Sequence, residues 1–231
     1  TDRAKQLYSS FCNGEMLLTN ATTAEMAKLT ENSFRDVNIA FANELSIISD
    51  KLGIDVWELI ELANHHPRVN ILNPGPGVGG HCIAVDPWFI VSSAQEEAKL
   101  IRTAREVNDG KPAYVIAKIT EAVEAEGADS IAALGIAFKP DIDDLRESPA
   151  LSIVQQMAEK WPEKNILVAE PNVNELPESL TAYQNVQLVD ASHAISSSPV
   201  VAVLVDHTPF KSLEKSVLEG KNVVDTRGMW S

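Results

Sequence analysis

A glycine-rich loop around one cysteine is the part of the sequence with the clearest chemical potential. Residues 73–87 read Asn-Pro-Gly-Pro-Gly-Val-Gly-Gly-His-Cys-Ile-Ala-Val-Asp-Pro, so Cys82 follows four closely spaced glycines and Asp86 lies four residues further on. Glycines let a backbone approach a ligand closely, and N–H groups around a sulfur favour the thiolate. The alternative is a tight loop that buries an unreactive cysteine. The glycines and the nearby carboxylate favour a reactive Cys82.

A pair of polar residues on a predicted helix is the second candidate. Lys28 and Asn32 are four residues apart and therefore share one helix face, with Arg35 near the same line. That face lies roughly opposite an apolar stripe containing Phe34 and Phe41. A cation and an amide donor aimed together suit the stabilisation of a developing oxyanion. A solvated polar face is the plainer interpretation.

Three cations follow predicted strands or precede predicted helices in the second half of the chain. They are Lys139, within the segment 135–140 that ends a strand, together with Arg146 and Arg227. Ligands of open α/β sheets bind at the carboxyl ends of the strands, so these cations suit a diphosphate. Only Gly135 is present where a dinucleotide-binding fingerprint needs three glycines, so this segment alone does not identify such a fold. The alternative is three unrelated surface cations.

The composition excludes several classes of function. With 231 residues, 45% hydrophobic and 23% charged, the sequence is typical of a globular protein, and its net charge of −14 argues against a nucleic-acid or anionic-membrane surface. Cys12 and Cys82 are far apart, which fits a reducing cytoplasm, and no signal or membrane-spanning segment is evident. His65, His66 and His81 lack a third ligand at a recognised spacing, so we expect no metal site.

Residues 21–126 are predicted to form a helical domain around the glycine-rich loop. A helix over residues 22–52 has a capping-box spacing at Thr22 and Glu25 and ends at Gly53. The remaining predicted helices cover residues 56–64, 96–109 and 112–126, the last two separated by Gly110 and Pro112. The preceding residues 1–20, with a short helix over 3–11 and a lone strand over 16–19, are interpreted as the remnant of a missing N-terminal NAD-binding domain.

The long helix also predicts a symmetric dimer. Its apolar stripe repeats at three and four residues and consists of Phe34, Val37, Phe41, Leu45, Ile48 and Leu52. Ile39, Ala42 and Ile47 lie outside the stripe, so one small domain would struggle to cover the whole helix. We therefore expect the helix over residues 22–52 to form the dimer.

From residue 127 to residue 231, short apolar strands alternate with helices. Strands are predicted over residues 130–136, 166–169, 186–188, 200–205 and 223–225. Ser148 and Pro149 open a helix that runs to residue 161, and further helices are expected near Ala191 and over residues 211–218. Continuous apolar strands alternating with helices indicate a parallel sheet covered on both faces. The predicted fold class is α/β, an all-helical central domain followed by a Rossmann-like parallel α/β domain.

Together these motifs resemble the UDP-glucose/GDP-mannose dehydrogenase family. The resemblance extends over essentially the whole chain, and the motifs fall in the family's order. They are Lys28-Leu29-Thr30-Glu31-Asn32, Gly79-Gly80-His81-Cys82 with Asp86, Ala137-Phe138-Lys139-Pro140 and Asp144-Leu145-Arg146-Glu147-Ser148. Family members consist of an NAD domain, a central helical dimerisation domain and a C-terminal nucleotide-sugar domain, and this sequence matches the last two.

The resemblance implies a two-step, NAD-dependent oxidation of a sugar C6 alcohol to a carboxylate through a thiohemiacetal and a thioester on a cysteine. It implies that Cys82 is the nucleophile, that Lys28 and Asn32 stabilise oxyanions and that Asp86 assists proton transfer. It further implies that the nucleotide sugar is bound by Arg68, Gly77, Gly80, Phe138, Lys139 and Arg227. Arg68 would come from the partner subunit, and Arg146 would contact the NAD pyrophosphate.

Within the family, residues 64–70 and 82–89 are most similar to the branch that oxidises UDP-N-acetyl-D-mannosamine for surface polysaccharide biosynthesis. UDP-glucose dehydrogenases carry a lysine where this sequence has Val85. The first alternative is a UDP-N-acetylglucosamine 6-dehydrogenase, and the second is a non-catalytic fragment that binds a nucleotide sugar and dimerises. A purely structural module is disfavoured by the Cys82 loop.

Overall fold

A helical part followed by a parallel α/β part makes up the computed structural model, which describes residues 2–230. This architecture confirms the predicted fold class. The helices of the first part are α1 Asp2–Tyr8, α2 Ala21–Leu52, α3 Val56–Asn64, α4 Asp86–Ser93 and α5 Lys99–Glu126. Within residues 2–230, none of the helices has both the length and the apolar character that crossing a membrane requires.

The ends of α2 are set by Asn20 and Gly53. The Asn20 side chain accepts a hydrogen bond of 2.8 Å from the Thr23 N–H, so the helix begins at Ala21. The predicted capping box at Thr22 and Glu25 is therefore wrong, because the residue before the first helical turn already supplies the cap. Gly53 has a φ of 68° and ends the helix as expected.

Polar and small residues form the buried face of α2, whereas its apolar stripe lies at the surface. The buried residues are Asn32, Ser33, Asp36, Ala40, Ala42, Asn43 and Ser49. On the other side, Phe34 is 67% exposed, Phe41 53% and Leu52 64%. This helix therefore packs inside the chain through polar contacts and presents an unpaired apolar surface outside.

Helix α5 is continuous where the sequence predicted two helices. Gly110 and Pro112 both lie inside it, although an interior proline removes one backbone hydrogen bond. The buried side chains Arg105, Asn108 and Val115 continue on one helix face across this point. Packing of that face against α2 keeps the helix intact, so tertiary contacts override the local signal.

Two further predictions in the helical part differ from the structure. The predicted strand over residues 16–19 is wrong, since the segment pairs with no strand and Leu17 is 81% exposed. Helix α4 begins at Asp86, inside the segment predicted as a loop to residue 87. Pro87 in its first turn is a helix-start signal that the glycine-rich context masked.

The α/β part contains a five-stranded, fully parallel sheet in the order β3-β2-β1-β4-β5. Its strands are β1 Ser130–Leu134, β2 Asn165–Ala169, β3 Val186–Leu188, β4 Val200–Val203 and β5 Asn222–Asp225. Leu134 at the end of β1 lies in register with Ala169 and Val203. The loops after these three strands therefore meet at one edge of the sheet.

Helices cover both faces of the sheet. They are α6 Pro149–Lys160, α7 Glu178–Thr181, α8 Ala191–Ser196, α9 Thr208–Lys211 and a 3₁₀ helix Lys215–Leu218. On one face Ile131 and Ala133 pack with α5 and α6, and on the other Ala132 and Leu134 pack with α8. The helix predicted over residues 211–218 is divided into two short ones. Ser148 caps α6 as predicted, accepting a hydrogen bond from the Leu151 N–H.

Candidate active site

The predicted catalytic residues of α2 and of the cysteine loop meet at the start of α4. Asn32 is buried and donates a hydrogen bond of 2.5 Å from Nδ2 to Oδ2 of Asp86. Leu29, on the same part of α2, packs against the apolar cluster of Ile90 and Val91 on α4. The two helices are thus held together by one hydrogen bond and by apolar packing.

Cys82 belongs to the turn that leads into α4. Its carbonyl oxygen accepts hydrogen bonds from the N–H groups of Val85 at 3.2 Å and Asp86 at 2.8 Å. Cys82 is a free, exposed cysteine, so the alternative of a buried cysteine does not apply. Asp86 therefore binds Asn32 through its side chain and Cys82 through its backbone, which joins three of the four predicted catalytic residues.

Lys28 is the fourth, and it lies one helical turn before Asn32 at the surface. Its ammonium is 3.9 Å from a carboxylate oxygen of Glu31, and both side chains are mostly exposed. Arg35 is exposed as well. The shared helix face of Lys28 and Asn32 is as predicted, but only Asn32 contacts the cysteine loop through a hydrogen bond.

The glycine-rich loop packs directly on the α/β part. A Cβ at Gly79 would lie 2.5 Å from the carbonyl oxygen of Glu147, too close for any side chain. Gly80 has a φ of +80°, and a Cβ there would lie 3.1 Å from the Phe138 ring. Glycine at both positions therefore lets the backbone before Cys82 reach the loop that follows β1.

Four predicted substrate-binding residues line one small cavity at the carboxyl edge of the sheet. The cavity has a volume of about 70 Å³, and Gly77, Phe138, Lys139 and Arg227 are among its lining residues. The Lys139 ammonium is 5.7 Å from the centre of the Phe138 ring. Two cations and an aromatic ring thus converge beside the glycine-rich loop.

Arg227 is held in place by a carboxylate. Its Nε donates to Asp206 at 2.8 Å, and Lys211 contacts the other oxygen of Asp206 at 2.6 Å. Burial raises the pKa of Asp206, but Lys211 and Arg227 outweigh that effect and keep its pKa below the usual value. The guanidinium also reaches the glycine-rich loop, since a Cβ at Gly75 would lie 2.6 Å from Nη1.

Arg146 lies outside this cavity. Its Nε and Nη2 donate to the two oxygens of Asp144, at 2.8 and 2.5 Å, and its side chain is 67% exposed. The hydrogen bonds that Arg146 donates, mainly from its side chain and also from its backbone N–H, hold the pKa of Asp144 well below its usual range. The guanidinium is therefore oriented but open to solvent.

Arg68 is not brought to the other site residues. It lies beyond α3 and is exposed, and its backbone N–H donates to Nδ1 of His66 at 3.3 Å. Its side chain forms no hydrogen bond or ion pair with the part of the chain described.

A buried chain of amides positions the start of the glycine-rich loop, and the sequence did not reveal it. Asn43 accepts a hydrogen bond from the Gly75 N–H at 2.9 Å and donates to Asn108 at 2.9 Å. Asn108 in turn donates to Asp36 at 2.8 Å. Asn43 and Asn108 are 65 residues apart on α2 and α5, so no local spacing relates them.

This chain of amides ends in a buried ion pair. Arg105 contacts Asp36 at 2.6 Å and also forms an ion pair with Asp109. Burial raises the pKa of Asp36, although Arg105 and Asn108 oppose the effect. The core between α2 and α5 is therefore polar and sets how the two helices fit together.

Glu170 and His207 form a second buried pair that the sequence analysis missed. Both lie just beyond the carboxyl ends of strands, Glu170 after β2 and His207 after β4, and His207 Nε2 is 3.0 Å from Glu170 Oε2. Glu170 is 5% exposed and His207 is fully buried. The sequence signal that could have identified them is their position shortly after predicted strands, where ligands of open α/β sheets bind.

The arrangement combines two chemistries along one segment. At one end, the exposed Cys82 belongs to the same turn as Asp86, whose carboxylate is hydrogen-bonded to Asn32, and these residue types suit nucleophilic and acid–base catalysis. At the other end, Lys139 and Arg227 suit a phosphorylated group. The loop from Gly75 to Cys82 links them.

Comparison with protein families gives two adjoining matches. The central domain of the UDP-glucose/GDP-mannose dehydrogenase family matches residues 22–110. The UDP binding domain of the same family matches residues 132–231. Together the two matches extend over most of the chain.

Similar proteins are found among nucleotide-sugar dehydrogenases. The chain is 56% identical over 231 residues to an NDP-N-acetyl-D-galactosaminuronic acid dehydrogenase of Ralstonia nicotianae, covering 100% of this chain and 54% of that protein. It is 62% identical over 207 residues to a UDP-N-acetyl-D-mannosamine dehydrogenase of Campylobacter jejuni, covering 90% and 51%. A solved UDP-D-ManNAc dehydrogenase of Pyrococcus horikoshii superposes with a TM-score of 0.85 at 38% identity, covering 100% and 54%.

The chain spans about half the length of these relatives. Both of its parts match domains of one family, the central domain first and the UDP binding domain second. The motifs around Cys82 and Lys139 lie within the matched ranges. The chain therefore belongs to the UDP-glucose/GDP-mannose dehydrogenase family.

Proposed function

We propose that this chain supplies the substrate half of an NAD-dependent UDP-N-acetyl-D-mannosamine 6-dehydrogenase. The observation that carries the proposal is the glycine-rich loop, which packs on the cavity of Lys139 and Arg227 and ends at Cys82 beside Asp86. One substrate can therefore contact cations at its diphosphate end and a thiol at its sugar end. In this proposal residues 21–126 form the central dimerisation domain and residues 127–231 bind the UDP-sugar.

Recognition of the UDP part falls to the cavity residues. Arg227 is oriented by Asp206 and can still present its terminal N–H groups, while Lys139 is exposed and adds a point charge. The Phe138 ring and the backbone of Gly77 and Gly80 form the apolar boundary. Local positive charge is needed here because the chain as a whole carries a net charge of −14.

The oxidation of the C6 alcohol proceeds in two stages. The alcohol first loses a proton and a hydride to become an aldehyde, and the Cys82 thiolate adds to its carbonyl carbon to form a thiohemiacetal. Loss of the hydroxyl proton and of a second hydride from that carbon gives a thioester. Water then adds and the C–S bond breaks, which releases the carboxylate and the thiol.

Three other residues assist these steps. Asn32 donates to the oxyanion that forms on the substrate, and Lys28 adds positive charge from the preceding helical turn. Asp86 takes the proton of the attacking water and is kept in position by Asn32. Because the carboxylate and the thiol belong to one turn, a single bound carbonyl can meet both groups.

NAD accepts the hydride in each oxidation when it is bound. Arg146 fits one contact to a cofactor phosphate, because Asp144 orients its guanidinium while the side chain remains exposed. The described sheet does not provide the main binding site for the dinucleotide, because the N–H groups that follow β1 are already bound by Glu170. We therefore assign the chain only this peripheral contact.

The protein acts as a homodimer in this proposal. The exposed stripe of Phe34, Phe41 and Ile48 on α2 is the apolar surface that a second copy would cover. Arg68, which contacts no other predicted site residue of its own chain, is then available to the substrate of the partner subunit.

The test is oxidation of UDP-N-acetyl-D-mannosamine by the complete protein, with the remaining half of the length of the relatives included. We expect two NADH per UDP-sugar, no turnover by the chain alone, and a loss of acid formation in Cys82→Ser. UDP-N-acetylglucosamine serves as the competing substrate, and faster oxidation of it would replace the proposed sugar. Absence of oxidation of either sugar by the complete protein would reduce the chain to a binding and dimerisation module.

A further inference from the structure

Two loops meet the segment that carries Phe138 and Lys139. This segment, residues 136–141, follows β1 and is here called the lysine loop. The loop after β2 begins with Glu170, and the loop after β4 contains His207. Parallel strands bring these three loops to one edge of the sheet, so buried polar groups there can act on the lysine loop directly.

Glu170 binds the beginning of the lysine loop. Its Oε2 accepts hydrogen bonds from the N–H groups of Ile136 at 2.9 Å and Ala137 at 3.2 Å. The other oxygen, Oε1, accepts from the backbone and side-chain nitrogens of Asn172 at 3.1 and 3.3 Å. The carboxylate therefore occupies the strand-end N–H groups that could otherwise bind an anion.

His207 binds the end of the lysine loop. Its Nδ1 accepts from the backbone N–H of Asp141 at 2.9 Å, so the proton of a neutral ring lies on Nε2 and is donated to Glu170. Asp141 is fixed further by Thr208, which donates to its carboxylate at 2.8 Å from the backbone and 2.7 Å from the hydroxyl. Asp141 has a φ of 60°, an unusual conformation for a residue other than glycine.

The buried charge of Glu170 is well compensated. Burial raises its pKa, but the hydrogen bonds from His207 and from the backbone outweigh burial and hold the pKa below its usual value. A carboxylate with this many N–H donors is rigid, because the loss of any one donor exposes unmet charge in a buried site.

We propose that Glu170 and His207 are positioning residues that hold the lysine loop in its binding conformation before the nucleotide arrives. The inference rests on the proposed function, because it assigns the lysine loop to UDP. With the strand-end N–H groups taken by Glu170, the diphosphate is directed to the side chains of Lys139 and Arg227. The pair therefore lowers the entropic cost of ordering the loop when the ligand binds.

The first test is UDP binding by Glu170→Gln and His207→Phe, measured by calorimetry. The glutamine must turn its NH₂ group either towards the N–H groups of Ile136 and Ala137 or towards those of Asn172. The phenylalanine keeps a ring but loses the hydrogen bonds of His207 with Glu170, Asp141 and Asn172. We expect affinity to fall roughly ten- to a hundredfold in each variant, the effect of losing a charged hydrogen bond. The control is Val186→Ala, which removes buried volume in the edge strand β3 beside the start of β2, away from the carboxyl edge of the sheet, and should leave affinity within about twofold.

The second test needs no variant. Hydrogen exchange of the Ile136, Ala137 and Asp141 amides should be slow in the free wild-type chain and change little when UDP is added. Fast exchange that slows only with UDP, or unchanged affinity in both variants, would overturn the positioning role. Failure of the wild-type chain to bind UDP at all would instead overturn the proposed function, while slow exchange in the free chain would still identify the hydrogen bonds.

Discussion

Asn32 on α2 and Asp86 at the start of α4 share a hydrogen bond of 2.5 Å across 54 residues of sequence. This bond fixes the carboxylate of Asp86, and the backbone N–H of the same residue donates a hydrogen bond to the Cys82 carbonyl oxygen. The long helix is therefore attached to the cysteine turn through one amide. In a dimer formed through α2, the catalytic groups would consequently lie on the element that joins the two subunits.

The Asn32–Asp86 bond should appear as coupling in a double-mutant cycle. Asn32→Ala and Asp86→Ala each remove one partner of a partly buried pair. We expect a coupling free energy of about 1 to 2 kcal/mol in chemical unfolding of the two single variants and the double variant. Strictly additive losses would mean that the contact contributes nothing to stability.

Replacing Asn43 should loosen the glycine-rich loop. Asn43→Ala leaves the buried Gly75 N–H and the side-chain Oδ1 of Asn108 without these partners. This loss should lower the free energy of unfolding by about 2 to 4 kcal/mol. Asn38→Ala is the matched control on the same helix, because Asn38 binds only the exposed Phe34 carbonyl and should lose less than about 1 kcal/mol. Equal losses in urea unfolding would show that the amide chain has no special role.

Lys111 should make stability depend on pH. Burial lowers its pKa from 10.5 to about 8, and its ammonium donates to Ser46 at 2.5 Å. Below pH 8 Lys111 is protonated in both the folded and the unfolded state, so the folded protein bears the full free-energy cost of burying the ammonium. Above pH 8 the unfolded state binds more protons than the folded state, so stability rises with pH.

The matched variant is Lys111→Met, which fills the same space without a charge. From about pH 7 to about pH 9.5, wild type should gain about 2 kcal/mol relative to this variant. The variant should also be the more stable protein at pH 7. Parallel pH profiles for the two proteins in thermal or urea unfolding would contradict the lowered pKa of Lys111.

A charge in the apolar stripe of α2 should prevent dimerisation. Phe41 is 53% exposed, so Phe41→Glu can be accommodated by the folded monomer but not by a covered apolar interface. Sedimentation at micromolar concentration should give a dimer for wild type and a monomer for the variant. Val217→Glu, an exposed position in the α/β part, should remain dimeric, and a monomeric wild type would refute the assignment.

Local signals predicted the elements whose ends carry their own caps. Helix α3 has the bounds predicted for it, and its start is set locally, because Asp55 accepts hydrogen bonds from the N–H groups of Trp57 and Glu58. Local signals gave a wrong helix end at Gly110 and Pro112, because packing against α2 keeps α5 continuous there. Tertiary contacts of this kind have no signature in a short window of sequence.

The residues of the candidate site also fall into two groups, those that local sequence could identify and those that it could not. Cys82, Asp86 and Lys139 lie in compact motifs and could be selected from residue types and spacing. Glu170 and His207 act through hydrogen bonds between loops that only the order of the strands brings together. Residues whose role depends on topology could therefore not be found before the sheet was known.

Calorimetric titration of this chain with UDP tests the central claim most directly, because the claim is that Lys139 and Arg227 at the described cavity bind the diphosphate of UDP without any other domain. We predict that wild type binds UDP and that Lys139→Ala and Arg227→Ala each weaken binding by about 1.5 to 3 kcal/mol. Affinity should fall as salt rises, and Lys160→Ala, at the far end of α6, should bind as wild type does. If UDP does not bind, or if both cavity variants bind it as tightly as wild type, the cavity is not the nucleotide site.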